Sequence, residues 1–421
     1  MLAEIIAVGS EMLTSHRQDT NSLYLTAGLN DLGVTVAFKT IVGDNRDHLC
    51  SAILIALNRV DVILLSGGLG PTEDDLTREC VAQTLNLPLV RNDGLLDLLH
   101  QRFAARNMAM PPNNAKQADQ IEGATILANS NGSAPGQWLD LTYQGHRKLV
   151  TLLPGPPKEL KPIFDTECKP RLAATLPPNH LARRQLRMAL IPESQVDART
   201  APIYQQFPDV ETTILAGHAE IQLHFVCVKP ALAEAEARVE AVADAVAREM
   251  GDDIFSLNGE SLEEVVLLML GVRRRTLAVA ESCTGGWLGQ RLTAIPNSSR
   301  VFLGGAIAYS DRSKTALADV PAYLIDEHGA VSDAVARALA EGIRRRTGSS
   351  LALSITGIAG PTAPRGPHGH KDANKPLGLV YIALTDGEDT HVKEIHIPGD
   401  RERIRLWATQ HALEMLRHHL Q

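Results

Sequence analysis

The sequence predicts an α/β protein that has two large domains joined by a smaller α+β module. Its 421 residues are more than one hydrophobic core usually organises, so two or three domains are expected. Short apolar runs alternate with helical patterns over residues 1–168 and again over residues 259–421, which is typical of a sheet covered by helices. Residues 175–256 differ, because strand patterns follow one another there before a single long helix.

The first domain alternates strand and helix patterns from its first residues. Apolar runs at residues 3–8, 34–42 and 60–66 predict strands, and the patterns at 20–32 and 47–58 predict helices. The run LVTLLPGPPKELKPIF adds a last strand, a turn held by prolines and a helix. Helices between successive strands predict a parallel sheet with helices on both faces, which makes a three-layer domain.

The middle module and the last domain show different orders of elements. The proline-containing segment KPRLAATLPPNH predicts a linker. In the module, the strand patterns QLRMALI, TTILAG and EIQLHFVCVK precede the helical run ALAEAEARVEAVADAVAREM. In the last domain the strand patterns are TLAVAES, VFLGGAIAYS, LALSITG and LGLVYIALT, with helical patterns before the first and between the first three. The run RERIRLWATQHALEMLRHHL closes the chain as a helix.

Charge and cysteine content narrow the class of protein. The formal net charge of −8 gives no overall attraction for nucleic acid. The five cysteines are scattered without a C-x-x-C pair, so we expect neither a disulfide framework nor a zinc ribbon, and a reducing cytoplasm fits. The run MLAEIIAVGSEML predicts a buried strand rather than a signal peptide, and no apolar run is long enough to span a membrane.

A glycine-rich turn with an acidic segment follows the strand predicted at residues 60–66. Gly67, Gly68 and Gly70 allow backbone N–H groups to approach a phosphate closely. Carboxylates beside a phosphate would repel it unless a divalent cation lies between them. The acidic residues near strand ends are therefore candidate metal ligands, namely Glu11, Asp44, Glu73, Asp74 and Asp75. Acidic residues in a first helical turn also have a common structural use, and the pattern alone leaves both roles open.

A second set of polar residues follows three strands of the last domain. Ser282 comes between the strand AVAES and a helix, where helix N–H groups can bind a phosphate or stabilise an oxyanion. Tyr309 and Lys314 follow the next strand, and a buried lysine relayed through a tyrosine can serve as the base that a serine nucleophile needs. Thr356 and Gly357 end a third strand. These three strand ends match the position at which the sites of α/β proteins form, at the carboxyl ends of strands.

The structural alternative for the same residues stays open at this point. A Ser-x-Thr-Gly-Gly run at a helix start is often only an N-cap, and a lysine after a strand is usually solvated.

The motifs of the last domain resemble the C-terminal domain of the CinA family, which includes nicotinamide-nucleotide amidohydrolases. AESCTGG, GGAIAYSDRSK, EHGAVSD, SITGIAGP, KPLGLVYIAL and PGDR occur in order within residues 259–421. The resemblance implies deamidation of nicotinamide mononucleotide to nicotinic acid mononucleotide and ammonia, without a cofactor. It implies that Ser282 is the nucleophile, activated by Tyr309 and Lys314, and that Thr356 lines the site. The implied substrate-binding residues are Thr284, Gly285, Gly286, Gly357 and Arg401, the last beside the substrate phosphate.

One departure from that family is the loop PTAPRGPHGHKDANKP at residues 361–376, which is longer than usual. We interpret it as a surface insertion, with a lid over the site as the alternative.

The first domain resembles the molybdopterin-binding MoaB/MogA fold, in the version found at the N-terminus of CinA proteins. The matching runs are VGSEML, DTNS, VGDN, LSGGLGPTEDDLT, NNAKQA, GATILANSNGSAPG and LLPGPPKEL. The resemblance implies hydrolysis of ADP-ribose to AMP and ribose 5-phosphate with Mg, Mn or Co. Asp44 and Asp75 would lie near the reacting phosphates as catalytic residues and metal ligands, with Asp74 and Glu11 as further ligands. The implied nucleotide-pocket residues are Gly67, Gly68, Gly70, Asn131, Gly132 and Gly136.

Position 10 departs from the family pattern, because VGSEM carries Ser10 where the family often has aspartate. One possible carboxylate ligand is thereby lost. A domain that only binds a nucleotide or a pterin is therefore the alternative to a pyrophosphatase.

The middle module resembles the KH-like insert of CinA proteins. RNA-binding KH domains use a GXXG loop in basic surroundings, and residues 175–256 have neither. We therefore expect no nucleic-acid partner, and a spacer or dimerisation role in a homodimer.

The leading hypothesis is a bifunctional enzyme of pyridine-nucleotide salvage that acts on nicotinamide mononucleotide and ADP-ribose. An interaction protein connected with competence or DNA damage is a further alternative, although the acidic net charge argues against direct contact with DNA.

Overall fold

A computed structural model of the chain describes residues 1–177, 179–217, 219–360 and 371–421. They form two compact units, and each is described by itself. The first unit consists of Met1–Ala182 and Val228–Ala235, and the second of Arg183–Cys227 and Glu236–Gln421. Most of the predicted middle module therefore belongs to the second unit.

The first unit is built on a six-stranded sheet with the strand order β2-β1-β3-β8-β7-β6. The strands of this unit are β1 (Leu2–Val8), β2 (Thr35–Val42), β3 (Val62–Ser66), β4 (Leu89–Arg91), β5 (Asp119–Ile121), β6 (Thr125–Leu127), β7 (Gly136–Tyr143) and β8 (His146–Leu153). Its helices are α1 (Asn21–Asn30), α2 (Arg46–Arg59), α3 (Thr77–Leu85), α4 (Asp93–Ala104), α5 (Pro157–Ile163) and α6 (Lys169–Thr175).

The sheet is mixed rather than wholly parallel, which corrects the expectation from the sequence. Strands β1, β2, β3 and β8 are parallel, but β7 runs antiparallel to β8. The two antiparallel strands are joined by Gln144 and Gly145, whose φ values are +47° and +84°. Positive φ at both central residues is the requirement of a tight two-residue hairpin, and such a hairpin can only connect antiparallel neighbours.

Helices cover both faces of this sheet, so the predicted three-layer arrangement is confirmed. One face packs against α2 and α3 through residues such as Ile53 and Val81. The other face packs against α1, α5 and α6, with Phe164 fully buried at its centre.

The linker predicted at KPRLAATLPPNH is instead largely helical. Lys169–Thr175 forms α6, and Leu172 within it is fully buried in the core of the first unit. Pro170 does not prevent the helix because it lies in the first turn, where a missing N–H group has no intrahelical partner to lose.

The later part of the chain contains two more sheets, with the strand orders β10-β11-β9-β12 and β14-β13-β15-β16-β17. The strands are β9 (His180–Ala189), β10 (Glu211–Gly217), β11 (Glu220–Lys229), β12 (Ile254–Ser256), β13 (Leu277–Glu281), β14 (Phe302–Ile307), β15 (Leu351–Gly357), β16 (Leu379–Thr385) and β17 (Thr390–His396). The helices are α7 (Glu193–Tyr204), α8 (Leu232–Met250), α9 (Leu262–Val272), α10 (Trp287–Thr293), α11 (Asp311–Ala318), α12 (Ala322–His328), α13 (Asp333–Thr347) and α14 (Arg401–His419).

The five-stranded sheet positions the last domain's polar residues. Strands β14, β13 and β15 are parallel, while β16 and β17 continue the sheet in antiparallel fashion. Helices α9, α10 and α14 pack on one face, and α11 to α13 on the other. In the described residues no helix has both the length and the apolar character that crossing a membrane requires.

Close packing of α13 predicts opposite effects for two glycine substitutions in the second unit. A Cβ atom at Gly342 would lie 1.6 Å from the backbone oxygen of Ala318, whereas a Cβ at Gly271 in α9 would meet nothing within 4 Å. We expect Gly342→Ala to lower the free energy of unfolding by about 1–3 kcal/mol through overpacking. We expect Gly271→Ala to raise it by about 0.5–1 kcal/mol, because alanine is the better helix former. Urea denaturation of both variants measures the difference, and equal stability would refute this account of α13.

Candidate functional site

The first unit has a pocket of about 370 Å³ at the carboxyl ends of its parallel strands. The segments that follow β1, β2, β3 and β8 all line it. Parallel strands end at the same edge of a sheet, so residues that are distant in sequence converge there. The predicted residues that line this pocket are Glu11, Asp44, Gly67, Gly68, Gly70, Asp74 and Asp75.

The glycine turn, residues 67–70 after β3, has carbonyl oxygens that all accept hydrogen bonds from the protein. Thr77 donates from its hydroxyl to Gly67 O (2.8 Å) and from its N–H to Gly68 O (3.2 Å). Arg78 donates to Leu69 O (2.9 Å) and Gly70 O (3.1 Å). The positive φ values of Gly67 (+108°) and Gly68 (+66°) make this conformation possible.

The N–H groups of the same turn remain available to a ligand. Within the described chain, the N–H groups of Gly68, Leu69 and Gly70 donate to no protein acceptor. Successive free N–H groups in such a turn form a concave anion-binding site. The turn can therefore bind a phosphate, as its glycines predict.

Arg78 is a residue of this site that the sequence analysis did not identify. Its side chain is almost wholly buried, and burial lowers the pKa of its guanidinium. Because an arginine remains charged even so, it places a positive charge directly behind the glycine turn. The signal in the sequence was an arginine immediately after the acidic segment, at the start of a helix.

The carboxylates of the pocket are partly engaged with neighbouring groups. Asp44 accepts from the N–H of Ser10 (2.7 Å), and its own N–H donates to the Ser10 hydroxyl (2.9 Å). Asp75 accepts from the N–H and the hydroxyl of Thr72, at 2.9 and 2.5 Å. A hydrogen bond from Thr72 is also the main cause that lowers the pKa of Asp74.

The carboxylates of this pocket fit a divalent cation that binds jointly with the phosphates of a substrate. In the part of the chain that the structure describes, no group of three or more His, Cys, Asp and Glu side chains is placed to hold a metal ion. Mg²⁺ needs fewer protein ligands, because it keeps several waters and is often bound by one or two carboxylates and the substrate's phosphates. The residues present fit that second mode, since the carboxylates and the free N–H groups line one pocket.

Three residues predicted to shape the nucleotide pocket lie outside its lining. The Asn131 side chain donates to Lys158 O (2.8 Å), and Gly136 begins β7 inside the sheet. Gly132 packs on Glu159, since a Cβ there would lie 1.7 Å from its Oε2. Glu159 and Gln117 line the pocket instead; both lie within runs that match the family, but neither was predicted as a site residue.

The second unit has a pocket of about 240 Å³ at the carboxyl ends of β13, β14 and β15. It brings together five of the predicted residues, namely Ser282, Tyr309, Lys314, Gly357 and Arg401. Ser282 is 7% exposed, and its N–H donates to Ile355 O (2.9 Å), which fixes the turn after β13 to the neighbouring strand.

Cys283 also lines this pocket, and its chemistry separates it from Ser282. Burial raises the pKa of the Cys283 thiol to about 12. A thiol with that pKa is protonated at neutral pH and is a poor nucleophile. The serine is therefore the stronger candidate for attack.

The helix after Ser282 does not offer its N-terminal N–H groups to a ligand, which corrects that expectation. The buried carboxylate of Glu281 accepts from Gly286 (3.1 Å), Leu288 (3.0 Å) and Gly289 (2.7 Å). The start of α10 is thus neutralised by an internal anion. A glutamate at the end of an otherwise apolar strand was the signal in the sequence.

Thr284, Gly285 and Gly286 shape the turn and do not line the pocket. Thr284 is fully buried, and its carbonyl accepts from Arg405 (2.8 Å). Gly285 and Gly286 have φ values of +62° and +94°, a conformation that other residues rarely adopt.

Lys314 is a second group of this pocket whose pKa is altered by burial. It is 2% exposed, and its ammonium donates to the carbonyl of Tyr309 (3.4 Å) and lies 3.6 Å from a carboxylate oxygen of Asp311. Burial lowers the pKa of Lys314, although Asp311 and Asp372 act in the opposite direction. A lysine with a lowered pKa can serve as a general base.

The predicted relay through the Tyr309 hydroxyl is not present in this structure. That hydroxyl accepts a hydrogen bond from Arg401 (3.0 Å), and the residue is 59% exposed. Lys314 contacts only the main chain of Tyr309. Tyr309 and Arg401 therefore form one wall of the pocket, with Arg401 positioned as an anion ligand.

Thr356 lies in the core next to the pocket and does not line it. It is fully buried, and its hydroxyl donates to Ala330 O (2.8 Å) rather than lining the cavity.

The last residues of the 361–376 loop are part of the site, which corrects their interpretation as a surface insertion. Residues 361–370 lie outside the described residues. Asp372 lines the pocket, is 3% exposed, and accepts from the N–H of Ala330 (2.8 Å) and Val331 (3.3 Å). Lys375 pairs with Asp372 at 2.7 Å. No pattern marked this aspartate in the sequence.

Comparison with known proteins agrees with the motifs. The family model of the CinA C-terminal domain matches residues 259–420, and a model described as "probable molybdopterin binding domain" matches residues 4–174.

Related sequences match the chain over its whole length. A CinA-like protein of Acidobacterium capsulatum is 56% identical over 420 residues, which are 100% of each chain. A CinA-like protein of Koribacter versatilis is 52% identical and covers 99% of each chain. The crystal structure of a CinA superfamily protein from Klebsiella pneumoniae is 29% identical, with a TM-score of 0.34, and the match covers 38% of this chain and 98% of that one.

The family predicted from the motifs is thereby confirmed. The chain belongs to the CinA-like proteins, with a MoaB/MogA-like domain in its first half and a CinA C-terminal domain in its second.

Proposed function

We propose that the second unit is an amidohydrolase that converts nicotinamide mononucleotide into nicotinic acid mononucleotide and ammonia. The observation that carries this proposal is that Ser282 and the buried Lys314 line one small pocket. A serine hydroxyl and an amine of lowered pKa that line one pocket can supply the nucleophile and the general base of acyl transfer.

The reaction proceeds in two steps. The Ser282 hydroxyl attacks the carboxamide carbon while the neutral Lys314 amine accepts its proton. The tetrahedral intermediate collapses as that proton passes to the leaving nitrogen, and ammonia departs from an ester on Ser282. Water then attacks this ester, Lys314 again transferring a proton, and the carboxylate product leaves with the serine hydroxyl restored.

Backbone and arginine groups supply the remaining contacts. Cys283 lines the pocket, and within the described residues its N–H group is bonded to no other residue, so it can stabilise the oxyanion. Arg401 on the pocket wall is suited to the substrate phosphate. The cationic pyridinium ring assists by withdrawing electrons from the amide.

Removal of the nucleophile tests this assignment. We expect Ser282→Ala to reduce ammonia release from nicotinamide mononucleotide by at least about 1000-fold, because no other activated nucleophile lines the described pocket. A chelator should not affect the wild-type rate. The exposed Ser194 in α7 provides a control, and Ser194→Ala should retain wild-type activity. Full activity of Ser282→Ala would exclude Ser282 as the nucleophile.

The pH dependence tests the role of Lys314. Only the deprotonated amine is a base, so activity should rise as the pH rises through the Lys314 pKa, which burial lowers. Asp311 stabilises the ammonium form, and Asp311→Asn should therefore move the rise in kcat to lower pH. The exposed Asp326 serves as the control, since Asp326→Asn should leave the profile in place. An unchanged or upward-shifted profile for Asp311→Asn would contradict Lys314 as the base.

We propose in addition that the first unit binds a nucleotide diphosphate and hydrolyses ADP-ribose to AMP and ribose 5-phosphate. The free N–H groups of the glycine turn, the buried Arg78 and the carboxylates that line the same pocket support this proposal. Asp44, Asp75, Asp74 and Glu11 are the residues that would hold a divalent cation, which when bound would lower the pKa of water and polarise the phosphates.

This chain's own residues in that site bind and orient the diphosphate. Arg78 holds the carbonyl oxygens of the turn away from the phosphate and leaves the N–H groups directed to the ligand side. The Thr72 hydrogen bonds fix the orientation of the Asp75 carboxylate.

Neutralising one carboxylate tests the second activity. We expect Asp75→Asn to lower ADP-ribose hydrolysis by about 100-fold or more, since the amide keeps the size but removes the charge that attracts a cation. A chelator should abolish the wild-type rate. Asp97→Asn, at an exposed position of α4, is the control and should retain it. Binding of ADP-ribose without turnover at any divalent metal would instead identify a binding domain.

A further inference from the structure

The turn that carries Ser282 is bonded to helix α14 through an arginine that does not line the pocket. Arg405 donates from Nη2 to the carbonyl oxygen of Thr284 (2.8 Å), two residues after the nucleophile. Its guanidinium also lies over the ring of Trp287, with 5.1 Å between Cζ and the ring centroid. Arg405 therefore contacts the segment that leads from Ser282 into α10 at two points.

These two contacts are what hold the Arg405 side chain. No carboxylate in the described ranges pairs with it, and its Nε atom is buried without a hydrogen-bond partner. Burying a donor without a partner costs about 1–3 kcal/mol. The contacts that offset this cost are those with Thr284 and Trp287, so the nucleophile's turn, and no salt bridge, sets the orientation of this guanidinium.

The turn needs such a contact because its own backbone is permissive. The N–H of Gly285 donates to Ser282 O (3.1 Å), and two glycines follow Thr284 directly. Glycine backbones have access to more conformations than those of any other residue. The bond from Arg405 reaches the turn just before these glycines, where it limits the movement of the serine.

Helix α14 also carries the arginine of the pocket wall. Arg401 lies one helical turn before Arg405, and residues at positions i and i+4 share one side of a helix. Bonds in the opposite direction connect the same two helices. Arg291 of α10 donates to Thr409 Oγ1 (2.8 Å) and Gln410 Oε1 (2.7 Å) of α14. The two helices are thereby fixed to each other at both places.

We propose that Arg405 is a positioning residue of the amidohydrolase, which ties the turn of Ser282 to the helix that carries Arg401. The inference rests on the proposed function of the second unit. Arg401 binds the substrate phosphate, and Arg405 sets the position of the serine hydroxyl relative to the same helix. A displaced turn lowers the rate without weakening binding, because attack requires a closely defined distance between the hydroxyl and the carboxamide carbon.

Two substrates that differ only in the phosphate separate positioning from binding. Nicotinamide mononucleotide carries the phosphate, and nicotinamide riboside does not. We expect Arg405→Gln to lower kcat for the mononucleotide by about 10–100-fold with KM within about threefold, and to lower kcat/KM for the riboside by the same factor. Arg401→Gln should raise KM for the mononucleotide by about tenfold and leave kcat/KM for the riboside within about threefold of wild type.

Two further variants and a binding measurement serve as controls. Arg405→Lys can still donate to Thr284 O, so its loss should be smaller, about threefold, and again equal for both substrates. Arg403→Gln is the matched control, since Arg403 is an exposed arginine of α14 that lies over Trp407 and not over the turn. It should keep wild-type kinetics. Calorimetry should show that Arg405→Gln binds nicotinamide mononucleotide as the wild type does.

The contrary outcomes are distinct. A loss in Arg405→Gln that is confined to the mononucleotide overturns the inference, because it identifies Arg405 as a phosphate ligand. A wild-type kcat, or a loss seen only in KM, overturns it as well. If Arg405→Gln does not bind the substrate, Arg405→Lys decides: an equal loss on both substrates supports positioning and an unequal loss contradicts it. A wild type that releases no ammonia from either substrate overturns the amidohydrolase itself, and this inference with it.

Discussion

Both candidate sites depend on one constraint, which is that parallel strands buried on two faces must all turn at the same edge of their sheet. At this edge the chain leaves the hydrophobic core, and its backbone N–H and C=O groups still need hydrogen-bond partners. The parallel strands that end at one edge are β1, β2, β3 and β8 in the first unit. In the second unit they are β13, β14 and β15. The turns at these edges leave N–H groups unbonded, and each cluster of polar side chains follows from that geometry.

Buried cations serve opposite purposes in the two units. Lys314 has few strong partners, and burial pushes it toward the neutral form that can accept a proton. Arg78 is equally buried but donates to two carbonyl oxygens, and a guanidinium keeps its charge under such conditions. Burial therefore favours the neutral form of the lysine, while the arginine remains a fixed positive charge. The difference comes from the intrinsic basicity of the two side chains and from their acceptors.

Much of this fold could be predicted from the sequence, because β3 and β13 are apolar up to their last residue and glycines mark the turns that follow them. Strand β7 and helix α6 were missed, since the antiparallel pairing of β7 with β8 and a proline in a first turn depend on tertiary packing. Of the site, the residues in conspicuous motifs, such as Ser282 and Asp75, were found. Asp372 and Gln117 were not, because a single polar residue in a loop becomes significant only when folding buries it against a cavity.

The anchoring of Asp372 and Lys375 to the turn at Ala330 and Val331 bears on how the wall of the cavity is positioned. Gly360 and Asp372 both border the cavity, so the chain is fixed on either side of the connection between them. The Asp372 carboxylate accepts directly from the N–H groups of Ala330 and Val331, so this wall of the cavity is positioned by hydrogen bonds that do not involve the connection.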